Sequence, residues 1–374
     1  MATTFQALLL VVLAQGVTDD RILIGMEGPA NSFSVDEENL GMRLVIRQAN
    51  ESGGIHGRML VEKAYPRGSD DPVGQAVRNA QRLVEQDGVF LLFNFGGPAA
   101  VRIGEYAMER DVPYLFPHTA LLTVDGDRHI FTSYPRYDGE SRMMLEFLVR
   151  ERQAKRIAVV HAPNIYGDYF AGRAATLADE IGYEFVGAES LPIQPAQANS
   201  EMRALRDRDP DAVVMALYPA GARRVVEAKA ALDWDVTLVS SGPLTDEQYL
   251  NVDGGQAEGT LGFCYYPDPN VSDAPGVADY RRLMAQYHPD HPLNRYSLYG
   301  YVFGQLVVEG LRRAGRDLTE DAFLDAMESI RDWDSGGILP PVSFSSSDHH
   351  AQTAGFVCEL RDARFEPLTG WISP

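Results

Sequence analysis

Short apolar runs alternate along the chain with stretches whose apolar residues recur every three or four positions. The first run predicts a strand over 22–26. Met42, Val45, Ile46 and Ala49 then share one face of a helix predicted over 36–51. A second strand is expected over 59–63. The helix after it has clear start signals: Asp70 and Asp71 can cap it, and Pro72 suits its first turn. Val73, Ala76, Val77, Ala80, Leu83 and Val84 line its apolar face. Strands follow over 89–93 and 114–116, with a helix between them. Strand–helix alternation of this kind implies parallel sheets wrapped by helices.

The pattern restarts after Asp138. Helices fit 139–152, 168–181, 199–208 and 220–232; strands fit 156–160, 184–188, 212–217 and 236–239. The fold class is therefore α/β, with two doubly wound parallel-sheet lobes. A weak internal echo supports the division. "VFLLFNFGGPAAVRIGEYAMERDVPYLFP" and "AVVMALYPAGARRVVEAKAALDWDVTLVSSGP" both run strand, Pro-Ala turn, amphipathic helix, Asp-Val, strand, Pro-containing loop. Parallel strands place both Pro-Ala turns at carboxyl edges, where open α/β sheets bind ligands. Beyond residue 259, helices are expected over 275–288, 294–314 and 319–330, then strands and turns over 342–371. No low-complexity linker separates the lobes, which fits lobes joined by several extended crossings.

Length and charge narrow the function. A chain of 374 residues is long enough for two cores. Its 33 basic and 53 acidic residues give a net charge of -20, which disfavours nucleic acid or an anionic membrane as partner. Two cysteines, Cys264 and Cys358, exclude a thiolate zinc cage; they either pair in an exported protein or stay as buried thiols. The N-terminus, MATTFQALLLVVLAQGVTDD, holds an apolar stretch from Ala7 to Ala14 that is too short to span a bilayer. Ala14-Gln15-Gly16 has a cleavage-site pattern. Residues 1–20 thus read as a signal peptide, although no Lys or Arg precedes Arg21. A misplaced start codon or an amphiphilic tail accounts for that gap.

Candidate chemistry is sparse. "HPDHP" (288–292) and "DHH" (348–350) invite a metal reading, but lack a helical i, i+4 histidine pair, and exposed loops explain them better. Gly96-Gly97 is not a dinucleotide fingerprint, and no phosphate loop or hydrolase elbow occurs. No metal and no cofactor is called for. "RIAVVHAPNIYGDYF" (156–170) stands out instead, because an apolar strand is followed by a turn carrying Tyr166 where a nucleotide enzyme would have glycines.

In "NLGMRLVIRQANESGGIHGRML", "GSDDPVGQAVRNAQRLVEQDGV", "DVPYLFPHTA", "RIAVVHAPNIYGDYFAGRAATLADEIG" and "SLYGYVFGQLVVEGLRRAG", the chain resembles the type I periplasmic solute-binding proteins of the branched-chain amino-acid class. The resemblance spreads over 22–371. It implies two lobes joined by a three-crossing hinge and closing on a small solute, delivery of that solute to the permease of an ABC importer, a periplasmic location and a monomer without catalysis. Lobe 1 would take 21–136 plus 264–343, and lobe 2 would take 137–263 plus 344–374. The chain would cross near 134–138, 259–265 and 341–345.

The family's ligand positions carry over one at a time. The loop that usually offers a serine to a ligand carboxylate falls on Phe95-Gly96-Gly97-Pro98, where backbone N–H groups remain beside a helix start. The next loop falls on His118-Thr119-Ala120, with Thr119 as a donor. The second-lobe tyrosines fall on Tyr166 and Tyr218. At Gly242 the family usually has an acidic residue facing a ligand ammonium; Gly242 cannot serve, and Asp246 more plausibly caps a following turn. The expected ligand is thus a carboxylate-bearing organic acid without an α-ammonium, because an unpaired buried ammonium is costly. Two alternatives stand beside this reading: an amino-acid or amide sensor on the same fold, and a two-domain α/β enzyme with His118 as its one visible titratable candidate.

Overall fold

The computed structural model describes residues 14–30, 32–68, 70–120, 127–246 and 255–373. The apolar core of the expected signal peptide, over 7–13, lies outside the described residues. Ala14 to Val17 pack onto the body: Ala14 and Val17 are buried, and Gln15 Nε2 donates to the Val84 carbonyl at 2.7 Å. The chain divides into two compact units. Unit 1 runs to Ser133 and includes Asp273–Ala351; unit 2 holds Tyr134–Ser272 and everything from Gln352 onward. The chain therefore passes between units three times.

Unit 1 is built on β1 (Arg21–Glu27), α1 (Phe33–Glu51), β2 (Met59–Tyr65), α2 (Pro72–Glu85), β3 (Leu91–Phe93), α3 (Pro98–Glu109), β4 (Tyr114–Leu115) and β5 (Ile130–Phe131). Its sheet has the order β2-β1-β3-β4-β5, with all pairings parallel. Asp71 caps α2 as the sequence suggests, accepting from the Gly74 N–H at 3.0 Å. Such a cap contributes about 1 kcal/mol. The apolar face of α2 buries Ala76, Val77, Ala80, Leu83 and Val84. Each large side chain so covered contributes about 1.5–3 kcal/mol. Helices Pro275–Tyr287, Arg295–Ala314 and Glu320–Glu328 complete the unit. The HPDHP loop is a clamp: Glu37 of α1 accepts from Asn294 Nδ2 at 2.7 Å and pairs with His291 Nε2 at 2.8 Å. No group of three metal-ligating side chains occurs among the described residues.

Unit 2 contains α4 (Tyr137–Glu151), β6 (Arg156–His161), α5 (Ile165–Ile181), β7 (Glu184–Ser190), α6 (Asn199–Arg206), β8 (Ala212–Ala216), α7 (Pro219–Ala231), β9 (Thr237–Ser240), β10 (Leu261–Cys264), β11 (Phe356–Arg361) and β12 (Arg364–Pro367). Its sheet order is β12-β11-β10-β9-β8-β6-β7. The segment β7-β6-β8-β9-β10 is parallel and repeats the strand order of unit 1. Strands β11 and β12 extend it with antiparallel pairings. The two segments of the sequence echo are β3–α3–β4 and β8–α7–β9, which hold equivalent places in the two sheets.

The unit boundaries fall at 133/134, 272/273 and 351/352, not at 136/137, 263/264 and 343/344. Strand pairing and ring packing explain the shift. β10 is bound on both sides within unit 2, and the Tyr265 ring that follows it lies 5.4 Å from the Tyr134 ring. Residues 344–351 stay with unit 1 because Phe344 and His349 pack on Phe131, at 5.0 and 4.1 Å.

Cys264 and Cys358 form a disulfide between neighbouring strands β10 and β11, so the alternative of two buried thiols is set aside. The bond spans 94 residues of chain. Chain entropy puts the contribution of a loop of this length at about 4.7 kcal/mol, and disulfides typically contribute about 2–4 kcal/mol. Replacing both cysteines with alanine is expected to lower the urea midpoint of unit 2 by a corresponding amount; an unchanged midpoint in equilibrium unfolding contradicts this.

Candidate functional site

In an open parallel sheet the strand order reverses once, and the carboxyl ends of the two strands at the reversal leave room for a ligand. In unit 2 those strands are β6 and β8, and Tyr166 and Tyr218 both follow them. The predicted start of α5 was 168; the helix in fact begins at Ile165 and places Tyr166 in its first turn. Asn164 explains the earlier start, since its Oδ1 accepts from the Gly167 N–H at 3.1 Å and its Nδ2 donates to the Tyr218 hydroxyl at 3.1 Å. Gly167 allows the helix to begin against the end of β6, because a Cβ there would lie 2.1 Å from the Ala162 carbonyl oxygen.

The rings form one aromatic face. Tyr166 lies 5.8 Å from Tyr218, 5.4 Å from Phe170 and 5.2 Å from Tyr137. Tyr166 is buried, and its hydroxyl is hydrogen-bonded to that of Ser241. Burial pushes the Tyr166 phenol well above its ordinary range, so it stays a neutral hydroxyl.

Gly242 follows Ser241 and has no room for a side chain. A Cβ there would lie 2.0 Å from the Tyr265 ring. A carboxylate nevertheless sits at this turn. Glu140 of α4 reaches it, with Oε1 accepting from the Gly242 N–H at 2.7 Å and Oε2 accepting from the Tyr265 hydroxyl. Glu140 is fully buried, and no cationic side chain pairs with it among the described residues. Desolvation raises its pKa to about 7, against the lowering influence of its two donors. Asp246 is also buried; residues 247–250, where it was expected to cap a turn, lie outside the described residues.

Unit 1 presents the equivalent edge. β3 is followed by Asn94 and β4 by Phe116, both with positive φ, +52° and +53°. Such a conformation is costly for a non-glycine residue and concentrates at functional sites. The loops Phe95-Gly96-Gly97-Pro98 and His118-Thr119-Ala120 start there, joined by a parallel bridge between Gly96 and His118. The amides expected to hold an anion are engaged inside the protein. The Gly96 N–H donates to Glu27 Oε2 at 3.3 Å, and the Gly97 N–H to the His118 carbonyl at 3.3 Å. Phe95 is buried, Pro98 is exposed, Thr119 is buried and Ala120 is half-buried. His118 is half-buried, with Nδ1 2.6 Å from Oε1 of the buried Glu38. Glu27, buried at the end of β1, pairs with Arg67 at 3.2 Å; desolvation still raises its pKa to about 7.

Three buried acids, Glu27, Glu38 and Glu140, were not singled out in the sequence. For two of them a signal existed. Glu38 shares a helical face with Met42 and Val45, and Glu140 shares one with Met143, Met144 and Leu148. Glu27 ends a strand and gives no comparable sign.

The profile of a family described as periplasmic binding protein matches residues 22–364. The chain belongs to the periplasmic binding protein family. The chain is 23% identical over 297 residues to the Leu/Ile/Val-binding protein homolog 7 of Brucella abortus (strain 2308), covering 74% of this chain and 73% of that one. Among solved structures, a fatty acid ABC transporter substrate-binding protein from Thermomonospora curvata superposes with TM-score 0.83 at 19% identity, over 97% of this chain and 95% of that one. A branched chain amino acid ABC transporter from Thermus thermophilus with bound valine gives 0.82 at 17% identity, over 97% and 98%. These likenesses establish the type I periplasmic binding protein fold. No helix among the described residues of this periplasmic binding protein is long and apolar enough to cross a membrane.

The raised pKa of Glu140 has a consequence for stability. The folded state holds the proton more tightly than the unfolded chain, so the contribution is present below about pH 4.5 and lost as pH rises through 7. The gap corresponds to on the order of 3 kcal/mol. Urea unfolding at pH 5 and pH 8 is expected to show lower stability at pH 8. Glu140→Gln should remove its share of that slope and leave the share of Glu27. A slope identical in the variant contradicts the assignment.

Proposed function

We propose that this periplasmic binding protein captures a small carboxylate-bearing solute for an ABC importer and works with the permease of that importer, with the carboxyl edge of unit 2 as the site. The solute that fits best is an amino acid, branched-chain or otherwise. The observation that supports this is Glu140. Leaving a buried carboxylate without a cation costs stability, and an ammonium brought to the Gly242 turn supplies the missing charge. The apolar part of the solute would lie on Tyr166 and Tyr218.

The second reading is an organic acid without an α-ammonium. It draws support from Gly242, which has no acidic side chain of its own, and from the fact that both Glu140 oxygens already accept hydrogen bonds. Isothermal titration with leucine and valine against benzoate and phenylacetate separates the two. Heat from the amino acids alone is the expected result; binding of the acids with silence from the amino acids overturns it in favour of the second reading.

Tyr166→Phe keeps the ring and removes the hydroxyl bonded to Ser241. A hydroxyl that also holds the solute contributes about 1 kcal/mol to binding, so its loss weakens affinity roughly fivefold. Unchanged affinity removes that hydroxyl from the site.

A further inference from the structure

We propose that Glu140 is a specificity-determining residue that couples solute capture to loss of its proton, so that solutes with a cationic group at the Gly242 turn bind better as the solution becomes more alkaline. This rests on the amino-acid reading above.

Three observations carry it. The first is position. Glu140 stands in the first turns of α4, and its two oxygens hold the Gly242 N–H and the Tyr265 hydroxyl. Gly242 is chain neighbour to Ser241, whose hydroxyl is bonded to that of Tyr166. One carboxylate thereby fixes the turn that sets the aromatic face.

The second is the absence of compensation. Among the described residues, the groups that meet Glu140 are polar and none is a cation. The turn after β9 brings Ser241 and the buried Asp246; β10 leads into Tyr265 and Tyr266; α5 brings Tyr166. On α4 itself, Arg136 and Asp138 lie 3.6 Å apart and pair with each other at the exposed start. Burial pushes the Tyr166 and Tyr265 phenols well above their ordinary range, so both stay neutral. A charge in such surroundings is poorly stabilised and favours the protonated acid.

The third is that both hydrogen-bond partners of the carboxylate are donors. The ionised form suits this geometry: both oxygens accept. The protonated form needs one donor to turn away. A cation at the turn therefore selects the form that also holds Gly242 and Tyr265 most firmly. The proton leaves Glu140 for solvent as the solute binds.

Isothermal titration in two buffers of different ionisation enthalpy counts this proton. With leucine or valine at pH 7, net proton release is expected in the wild type and none in Glu140→Gln. If only the ionised form binds, affinity should rise about tenfold between pH 6 and pH 8 in the wild type. It should stay flat in the glutamine variant, which keeps an acceptor for Gly242. Circular dichroism confirms that the variant is folded; should it fail to fold, the proton count on the wild type alone decides. Amino-acid binding with no proton release and no pH dependence overturns the proposal while leaving the solute class intact. The same pH dependence in the variant overturns it as well. If the amino acids are silent and an organic acid binds, the solute class has failed. Proton uptake by the wild type with that acid then overturns the release proposed here.

Discussion

The reversal of strand order in a parallel sheet governs this molecule. With the order β2-β1-β3-β4-β5 in one unit and β7-β6-β8-β9-β10 in the other, every strand–helix connection after a parallel strand emerges at the carboxyl edge. Connections leave in opposite directions on either side of the reversal, and the space between them is open to a ligand. All ten sequence-selected positions lie at these edges because the topology puts loops there. What varies between proteins of such architecture is the chemistry that the loops carry.

In unit 2 that chemistry is an aromatic face tuned by a carboxylate from a different helix. Glu140 reaches the Gly242 turn because Tyr265 fills the space a side chain at 242 would need. The carboxylate at this turn comes from a residue 102 positions earlier in the chain. In unit 1 the same economy appears in reverse. Glu27 and Glu38 engage the Gly96 amide and the His118 ring from within, so that amide is not bare.

Much of the fold was legible from periodicity. The apolar spacing of α2, with Asp71 and Pro72 ahead of it, marks a helix whose start the structure reproduces. The two-residue β5 was missed because two residues carry no period. The sequence pattern puts the start of α5 at 168, three residues late, because the cap Asn164 lies in the polar turn. The site was less legible. Tyr166 and Tyr218 follow strands and can be located from the strand ends. Glu140 cannot be assigned to the Gly242 turn from sequence, because 102 residues separate them and only the packing of α4 joins them. An acid on the apolar face of a helix is the sign that was present, and it says that the group is buried without naming its partner.

The disulfide has a topological effect that extends beyond its own strands. Cys264 precedes the passage into the last part of unit 1, and Cys358 follows the return. Three helices of unit 1, from Pro275 to Glu328, therefore lie inside a covalent ring closed in unit 2. Any peptide bond hydrolysed by a protease between the two cysteines leaves both fragments tethered. Until a reductant opens the ring, a molecule nicked there migrates as a single species.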